Sequence, residues 1–331
     1  MSIKKVYIDS RWKNCGGIGT FYERINELNK YSDAELSGKP MSPLDCIRTS
    51  IQLFFRKDSI FFFPGYIPPV FLSSDYIFTI HDLNHLERAE NSSALKRLFY
   101  KFVIKRGCRK ARYIFTVSEF SREKIIEWAD VSPDKVINVS NGVSPDFSPE
   151  GEHYALGYKY LLCVSNRKGH KNEIGTLEAF KKSDIEDDIK LVFTGKPDET
   201  INNKISELGL QDRIVFTGFI PEEDLPKLYR SAIGLVFVSF YEGFGLPVIE
   251  AQASGIPVIT SNSTALKEIA GEGALLVDPY NTDEISKAIR LICENENNLC
   301  KKLITNGFKN CSKYTWEKTA HSVKKHIDLI R

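Results

Sequence analysis

Two carboxylates stand eight residues apart in the segment Glu242-Gly243-Phe244-Gly245-Leu246-Pro247-Val248-Ile249-Glu250. A Gly-X-Gly turn lets backbone N–H groups approach an anionic ligand because no side chain blocks them. A helix opening over Ile249–Ala253 would direct the positive end of its dipole at the same anion. Glu242 then lies in the turn beside the reacting group, and Glu250 lies about one helical turn deeper. This pattern indicates a phosphate-linked ligand with hydroxyls at both ends, such as a nucleotide-sugar. The competing interpretation is two unrelated surface glutamates.

Three cations crowd the segment Ser165-Asn166-Arg167-Lys168-Gly169-His170-Lys171-Asn172. Arginine can grip a phosphate through two parallel N–H bonds, and lysine acts as a point charge, so Arg167, Lys168 and Lys171 could together neutralise a diphosphate. A solvated basic loop is the alternative. The chain contains no Asp-x-Asp sequence, the pattern through which a nucleotide-sugar site usually holds a divalent ion. We therefore expect no metal and no other cofactor.

A second glycine-rich segment, Gly16-Gly17-Ile18-Gly19, follows the first predicted strand and precedes the helical segment Thr20–Leu28. Backbone N–H groups of such a turn can contact a phosphate or a sugar. The segment is not the full G-x-G-x-x-G fingerprint, and no acidic residue closes the next strand as a dinucleotide site requires. A tight turn without any ligand remains the alternative.

Two further candidates lie at predicted strand ends. His81 follows the strand over residues 76–80 at the carboxyl edge, where open α/β sheets bind ligands. There it can contact a sugar hydroxyl or stabilise developing charge, while the alternative is a structural histidine bonded to nearby backbone. The segment Thr217-Gly218-Phe219-Ile220 could offer backbone groups to a nucleotide base.

Short β-branched and aromatic runs recur along the chain, each followed by a turn and an amphipathic segment. This alternation is typical of parallel strands joined by crossover helices, and two successive sets predict two Rossmann-like domains. The segment 141–151 contains two glycines and two prolines and is predicted to be the linker. A terminal amphipathic helix is expected to begin after Thr315. The predicted strands are 5–9, 60–63, 76–81, 113–117, 136–140, 160–165, 191–194, 214–217, 235–239, 257–260 and 274–277.

The bulk composition is that of a globular chain of 331 residues, with mean hydropathy −0.25 and a net charge of +2. The small net charge argues against nucleic-acid binding. No apolar run approaches the length of a spanning helix, and a strand directly after the N-terminus leaves no room for a signal peptide. The seven cysteines include no Cys-x-x-Cys pair, so neither a disulfide framework nor a zinc site is indicated. We expect a cytoplasmic protein.

The segment 96–112 carries eight basic residues and no acidic one. Apolar side chains interleave with these cations and helical spacing gathers them largely onto one side, so the segment could lie on an anionic membrane surface. The alternative is an ordinary core-packed helix with a solvated basic face. The apolar residues are Leu95, Leu98, Phe99, Phe102 and Val103.

Over essentially its whole length the chain resembles the GT-B glycosyltransferases of the large retaining family 4. The form of the His-Asp-Leu and basic motifs is similar to that of bacterial mannosyltransferases of surface-polysaccharide assembly. The motifs that carry the resemblance are 16–19, 81–83, 116–121, 140–143, 166–172 and the Glu-x7-Glu segment 242–250.

The resemblance implies two facing Rossmann-like α/β domains with parallel sheets and no metal. The domains would be an acceptor-side domain over 1–148, a nucleotide-sugar domain over 149–312 and a terminal helix over 313–331 that packs back on the first domain. The reaction implied is transfer of a sugar from a nucleotide-diphosphate donor, with GDP-mannose the leading candidate, to a hydroxyl of a glycan or lipid-linked acceptor, with retention. A UDP- or dTDP-sugar donor remains open. So do two other classes: a nucleotide-sugar epimerase or dehydrogenase, and an inactive binding partner.

Residue roles follow from the same resemblance. Glu242 and His81 would hold the donor sugar and are catalytic in the broad sense of positioning and charge stabilisation. Glu250 would bind the ribose. The donor-binding residues would be Gly17, Gly19, Arg167, Lys171, Ile220, Phe244, Gly245, Leu246 and Glu250.

Overall fold

The computed structural model describes residues 4–87, 93–295 and 298–331. The chain forms two compact units, one made of Met1–Gly142 together with Trp316–Arg331 and the other of Val143–Thr315. Each unit is built on a six-stranded, all-parallel sheet. Within the described residues, no helix combines the length and the apolar character needed to cross a bilayer.

The sheet of the first unit has the strand order β2-β1-β3-β4-β5-β6. The order reverses direction between β1 and β3, and ligands bind outside the carboxyl ends of strands at such a switch point. The strands are β1 (Lys5–Ile8), β2 (Ser32–Asp33), β3 (Ser59–Phe63), β4 (Asp75–Thr79), β5 (Tyr113–Thr116) and β6 (Val136–Asn138).

Helices connect these strands and close the unit. The described helices are α1 (Gly16–Asn29), α2 (Asp45–Leu53), α3 (Asn84–Glu87), α4 (Ala94–Phe99), α5 (Lys105–Lys110), α6 (Glu119–Ala129) and, from the end of the chain, α14 (Trp316–Asp328). A π-helical turn, Tyr100–Ile104, joins α4 to α5.

The sheet of the second unit has the strand order β12-β11-β10-β7-β8-β9, so its switch point lies between β7 and β10. The strands are β7 (Tyr160–Cys163), β8 (Lys190–Phe193), β9 (Ile214–Phe216), β10 (Gly234–Phe237), β11 (Val258–Ser261) and β12 (Ala274–Val277). Its helices are α7 (Glu173–Lys182), α8 (Glu199–Leu208), α9 (Leu225–Arg230), α10 (Leu246–Ala253), α11 (Thr264–Ala270), α12 (Thr282–Glu294) and α13 (Leu299–Cys311).

The central strands are apolar throughout because both faces of each sheet are covered. In β3, Phe61 and Phe63 point into one core cluster while Ile60 and Phe62 point into the other. Side chains alternate between faces along a strand, so a continuous apolar run is the pattern of a strand buried on both sides. The strand β10 shows the same alternation between the two clusters of the second unit.

The helix α14 completes the core of the first unit although it follows the second unit in sequence. Trp316, Ala320, Val323 and Ile327 recur at helical spacing on one face and pack with β1 and α1 residues. Asn29 adds a hydrogen bond from its side-chain amide to the carbonyl of Ala320 at 3.0 Å.

Several boundaries differ from the sequence-based expectation. The helix α1 begins at Gly16 and α10 at Leu246, so glycines expected in turns occupy or cap first helical turns. The two-residue strand β2 was missed because it is too short to show an alternating pattern. The units divide after Gly142, six residues before the expected boundary at 148, and after Thr315, three residues beyond the expected boundary at 312. The reason is that 143–148 pack with the second unit: Val143 forms a bridge with Thr315 and the Phe147 ring contacts Tyr229.

Candidate active site

The basic loop after β7 and the acidic loop after β10 meet at the switch point of the second sheet. Lys171 Nζ lies 2.7 Å from Glu242 Oε1, and each side chain is 14% exposed. The ammonium group also lies 5.0 Å from the centroid of the Phe237 ring. Partial burial and the aromatic face strengthen this ion pair relative to a surface pair. Lys171 and Glu242, which the sequence analysis names separately as candidate site residues, are therefore in direct contact.

Hydrogen bonds also connect the loop after β7 with the loop after β10. The N–H of Phe240 donates to the carbonyl of His170 at 2.8 Å. The buried side-chain amide of Asn172 donates to the carbonyls of Val238 at 3.1 Å and Pro279 at 2.7 Å. The loops therefore have fixed relative positions, which preorganises the pair formed by Lys171 and Glu242.

Arg167 has different surroundings from Lys171. Its Nη1 lies 2.5 Å from Oε1 of the buried Glu173, and its Nη2 donates to the carbonyl of Thr194. The guanidinium group lies 5.3 Å from the ring centroids of both Phe193 and Phe216. The structure therefore does not gather the three expected cations around one point. Arg167 is engaged within the unit, Lys168 is exposed, and Lys171 pairs with Glu242.

Glu250 lies on α10, where its Oε2 accepts a hydrogen bond of 2.7 Å from the hydroxyl of Tyr229. Burial raises the pKa of Glu250 to about 7, although the tyrosine hydrogen bond opposes the shift. Burial also raises the pKa of Tyr229 well above its ordinary value, and the neighbouring carboxylate adds to this effect. The carboxyl of Glu250 is therefore close to half protonated near pH 7. Hydrogen-bond donors that stabilise its ionised form would lower its pKa and favour loss of the proton.

The first turn of α10 presents backbone N–H groups at the same strand edge. Its N-cap residue, Gly245, has φ +107° and no side chain with which to cap the helix. A side chain at Gly245 would also collide with Leu266, whose Cδ2 would lie 2.5 Å from an added Cβ. Phe244 is buried with its ring edge against Tyr314, and Leu246 is half-buried at the first helical position. These features suit an anion at the start of α10.

The loops after β8 and β9 are joined by a pair of glycines. Gly195 and Gly218 exchange two backbone hydrogen bonds of 2.9 and 3.1 Å, and both have positive φ. Ile220 follows this bridge and is half-buried against the core. A cavity of about 550 Å³ lies beside the basic loop. Arg167, Lys168, Glu173 and Tyr280 are among its lining residues, whereas neither Lys171 nor Glu242 borders it.

In the first unit, the glycines of the first helical turn of α1 differ in their surroundings. A Cβ added to Gly19 would lie 3.0 Å from the backbone nitrogen of Asn14 and 3.1 Å from the carbonyl oxygen of Trp12, so close backbone packing requires this glycine. A Cβ added to Gly17 would meet no atom within 4 Å. Packing within the chain therefore does not explain a glycine at position 17, whereas close approach of a ligand would.

His81 lies two residues beyond β4, and its Nε2 lies 2.9 Å from the carbonyl oxygen of Pro64, which follows β3. The Phe21 ring meets the imidazole edge-to-face at 5.1 Å. Burial lowers the pKa of His81 to about 4, against a smaller opposing effect of the Pro64 carbonyl. The ring is neutral at pH 7. With Nε2–H donating to Pro64, the Nδ1 atom carries the lone pair and can accept a hydrogen bond.

Sequence reasoning missed the partners that hold the site residues in place. Tyr229 precedes Glu250 by 21 residues on another helix, and no local pattern connects them. Glu173 follows the basic loop directly, but an acidic residue in the first turn of a helix is also the ordinary choice for the helix dipole. Among the described residues, no group of three or more His, Cys, Asp or Glu side chains could hold a metal ion.

Comparison with known proteins identifies the class and then the family. The chain superposes on a sucrose-phosphate synthase from Thermosynechococcus elongatus with a TM-score of 0.79, covering 99% of both chains at 17% identity, and it therefore has the GT-B fold. Residues 60–147 match the family model described as Glycosyltransferase Family 4, and residues 148–310 match Glycosyl transferases group 1. The chain belongs to the family 4 type of glycosyltransferases.

Its relatives include two O-antigen mannosyltransferases. The O-antigen chain mannosyltransferase B of Escherichia coli is 28% identical over 276 residues, which cover 79% of this chain and 72% of the relative. The O-antigen chain mannosyltransferase RfbU of Salmonella typhimurium is 29% identical over 217 residues, covering 65% of this chain and 60% of the relative. The chain thus resembles mannosyltransferases, and polysaccharide biosynthesis is the process that these relatives support.

Two of the three glycines of α1, Gly17 and Gly19, give a test that separates packing from ligand contact. We expect Gly17→Ala to leave stability unchanged or raised by up to about 1 kcal/mol, because alanine is the better helix former and has open space. We expect Gly19→Ala to cost about 1–3 kcal/mol, because the opposing atoms are backbone. Thermal unfolding compares the two variants.

Sugar transfer by the folded Gly17→Ala enzyme should nevertheless fall at least about tenfold if a ligand occupies the space. Unchanged transfer would show that the glycine at 17 serves no ligand.

The raised pKa of Glu250 predicts a pH-dependent stability. Between about pH 4.5 and 7 the folded state binds more protons at this group than the unfolded state, so its ionisation progressively destabilises the fold as the pH rises. The full effect above pH 7 is about 3 kcal/mol. Glu250→Gln keeps an acceptor for Tyr229 and cannot ionise. We expect it to be as stable as wild type at pH 5 and more stable at pH 8, as measured by denaturant unfolding.

The difference between variant and wild type isolates Glu250 from the rest of the titration. Glu284→Gln, an exposed glutamate at the start of α12, provides the matched control. A wild-type minus variant difference that stays flat between pH 5 and 8 would contradict a raised pKa at Glu250.

Proposed function

We propose that the protein is a retaining, metal-independent mannosyltransferase that moves mannose from GDP-mannose to a hydroxyl of a glycan or lipid-linked acceptor in surface-polysaccharide biosynthesis. The observation that carries the proposal is the contact between Lys171 and Glu242 at the switch point of the second sheet. A cation and a carboxylate side by side match the diphosphate and the adjoining sugar of such a donor. Mannose is chosen because the relatives are mannosyltransferases.

In the proposed donor complex, Lys171 and Glu242 no longer contact each other, and each contacts the ligand instead. The diphosphate takes Lys171, and the hydroxyls of the sugar donate to the carboxylate of Glu242. The N–H groups at the start of α10, from Phe244 to Leu246, add donors to the same phosphates. Because these donors are fixed before the reaction, their stabilisation of the leaving diphosphate requires little reorganisation, and such electrostatic terms are typically the largest in catalysis.

The remaining roles follow the chemistry of each site residue. Glu250 accepts hydrogen bonds from the ribose hydroxyls, and the loop containing Ile220 contacts the base through its backbone. In the first unit, Gly17 and Gly19 are assigned backbone contacts with the donor, and neutral His81 accepts a hydrogen bond from a sugar hydroxyl through Nδ1. Arg167 fixes the position of the basic loop by pairing with Glu173, and its positive charge also favours binding of the anionic donor.

The proposed chemical step breaks the bond between the anomeric carbon and the phosphate oxygen. The acceptor hydroxyl attacks from the face that the diphosphate leaves, so the anomeric configuration is retained. Its proton passes to the departing phosphate oxygen, which carries the new negative charge. No covalent intermediate on the enzyme and no metal ion take part.

The acceptor side is proposed to lie at an anionic bilayer, with the basic helical segment 94–112 as a contact. In this segment Leu95, Leu98 and Phe102 are exposed beside the cations, whereas Phe99 and Val103 are half-buried. The face packed on the core is a different one, made of Tyr100, Ile104 and Cys108. The exposed basic and apolar side chains support the membrane proposal.

Donor preference and mechanism are tested with purified protein. We expect GDP and GDP-mannose to raise the midpoint of thermal unfolding more than the UDP, ADP and dTDP compounds, because a ligand that binds only the native state stabilises it. The one-bond coupling between C1 and H1 of the product should report the α-anomer, and EDTA should leave the rate unchanged. A β-product or loss of activity with EDTA would reject retention or metal independence, respectively.

Single substitutions test the assigned roles. We expect Lys171→Ala to lower kcat/KM by about 100-fold or more, the scale of losing one donor to a developing charge. Glu242→Gln should lower kcat strongly with nucleotide affinity nearly intact, and Glu250→Gln should weaken nucleotide binding. Lys159→Ala, an exposed lysine that precedes β7, serves as the control. Calorimetric titration of free nucleotide together with steady-state kinetics distinguishes these effects, and reversed effects at the two glutamates would overturn the assignment.

A further inference from the structure

The helix α2 in the first unit buries polar side chains and exposes apolar ones. Its buried side carries Asp45, Thr49 and Ser50 together with the apolar Cys46 and Leu53, while its solvent side carries Ile47 and Ile51. An ordinary surface helix buries its apolar stripe and exposes its polar one. The inverted arrangement leaves a contiguous set of large apolar side chains exposed, which we call the α2 apolar face. Its members are Met41, Leu44, Ile47, Ile51, Phe54, Phe55 and Phe71.

A buried ionic network fixes this orientation. Arg11, at the carboxyl end of β1, pairs with Asp9 at 2.8 Å and with Asp45 at 2.9 Å. Its Nη2 also donates to the Thr49 hydroxyl at 3.2 Å, and that hydroxyl donates to Asp45 at 3.1 Å. Turning α2 over would leave the buried charges of Arg11 and Asp9 without their third partner, which is strongly unfavourable. This ionic network therefore keeps the apolar side of α2 exposed to solvent.

Three aromatic side chains of the face contact one another rather than standing singly. The Phe54 ring meets the Phe55 ring at 5.1 Å and the Phe71 ring at 6.3 Å, both edge-to-face. Phe55 is 87% exposed and Ile51 is 61% exposed. Exposed apolar groups scattered singly need no explanation, but a contiguous group of this kind marks an interaction site.

The charged residues near the α2 apolar face indicate what kind of partner binds to it. Residues 39–57 contain three exposed cations, Lys39, Arg48 and Lys57. The fourth cation, Arg56, is half-buried and lies 3.7 Å from Glu35, and the single acid of the segment, Asp45, is neutralised by Arg11. Arg48 lies among the exposed apolar residues of the helix itself. Bulky aliphatic and aromatic side chains beside exposed cations match an anionic bilayer, whose headgroups take the cations and whose acyl boundary takes the apolar groups.

The α2 apolar face and the basic segment 94–112 are packed against the same stretch of chain. The hydroxyl of Ser50 in α2 accepts from the N–H of Val70 at 2.9 Å. A few residues earlier, the Tyr66 ring stacks on Tyr100 at 6.3 Å, and Pro68 packs so closely on Gly107 that a Cβ there would lie 2.3 Å from it. The segment 66–71 thus joins the apolar element to the basic one within the first unit.

We propose that the α2 apolar face inserts into the headgroup and acyl boundary of an anionic lipid surface, with the cations of 39–57 and 94–112 around it. The inference deepens the proposed function, on which it rests only for the membrane location of the acceptor. In this proposal α2 makes the apolar contact with the lipid surface, and the basic residues account for the salt-dependent attraction to it.

The first test measures binding to vesicles of phosphatidylglycerol and phosphatidylcholine by co-sedimentation. The double variant Ile51→Gln, Phe55→Gln should bind at least about tenfold more weakly, because two exposed apolar groups no longer leave water on binding. Both residues are exposed, so thermal unfolding should be unchanged. Leu329→Gln is the matched control because Leu329 is 66% exposed on the same unit but lies at the chain end. Charge reversal at Lys101 and Lys105 should instead change the salt dependence of binding.

The second test reports insertion directly. Tryptophan introduced as Phe55→Trp should be quenched by vesicles with brominated acyl chains, whereas Leu329→Trp should not be quenched beyond the wild-type signal. Wild-type binding in the double variant, or an unquenched Phe55→Trp in protein that does bind vesicles, would overturn the proposal. So would a wild-type dimer in sedimentation velocity that the double variant abolishes without any vesicle binding, since the face would then belong to a second copy. Vesicle binding is measured without donor, and donor hydrolysis without vesicles, so failure of one leaves the other intact.

Discussion

The ion pair between Lys171 and Glu242 is the contact on which the proposed chemistry of the second unit depends. Both residues sit on loops that leave neighbouring parallel strands at the point where the strand order reverses, and the side chain of Asn172 ties those loops together. Each charge is mostly removed from water, so loss of either partner would leave the other poorly solvated. A ligand that supplies an anion for one and hydroxyls for the other can separate them without that penalty. The pair therefore keeps the site charged and ordered until such a ligand arrives.

The sequence predicts the parts of this arrangement that arise from local pattern. Continuous apolar runs identify eleven of the twelve strands found in the described part of the chain, and glycine, acid and base motifs at their ends mark the strand edge that carries the proposed chemistry. Contacts between distant residues were beyond it. Nothing in the linear chain indicates that Tyr229 reaches Glu250, or that Arg167 turns inward to Glu173 between two phenylalanine rings. The orientation of α2 was not predicted. A periodic apolar stripe normally indicates the buried side of a helix, and the sequence does not show that the buried Arg11 pairs with the polar side of α2 instead.

Two groups with displaced pKa values, one in each unit, make opposite contributions to stability as the pH changes. His81 is neutral in the folded first unit, so protonation of the unfolded chain weakens that unit as the pH falls from about 6.5 toward 4. Glu250 favours its protonated form in the second unit, which is weakened as the pH rises from about 4.5 through 7. These shifts reflect the same cause, which is the removal of polar groups from water at the edge of a sheet where a ligand is expected to replace the solvent.

The packing of α14 on β1 and α1 has a consequence for how the chain is made. The second unit is contiguous in sequence, so residues 143–315 are all synthesised before α14. The first unit lacks Trp316, Val323 and Ile327 of its core until α14 has been synthesised. Its core can therefore be completed only after the whole second unit has been made, although domains generally fold in the order of their synthesis. Truncation before Trp316 would disrupt the core of the unit that contains β1.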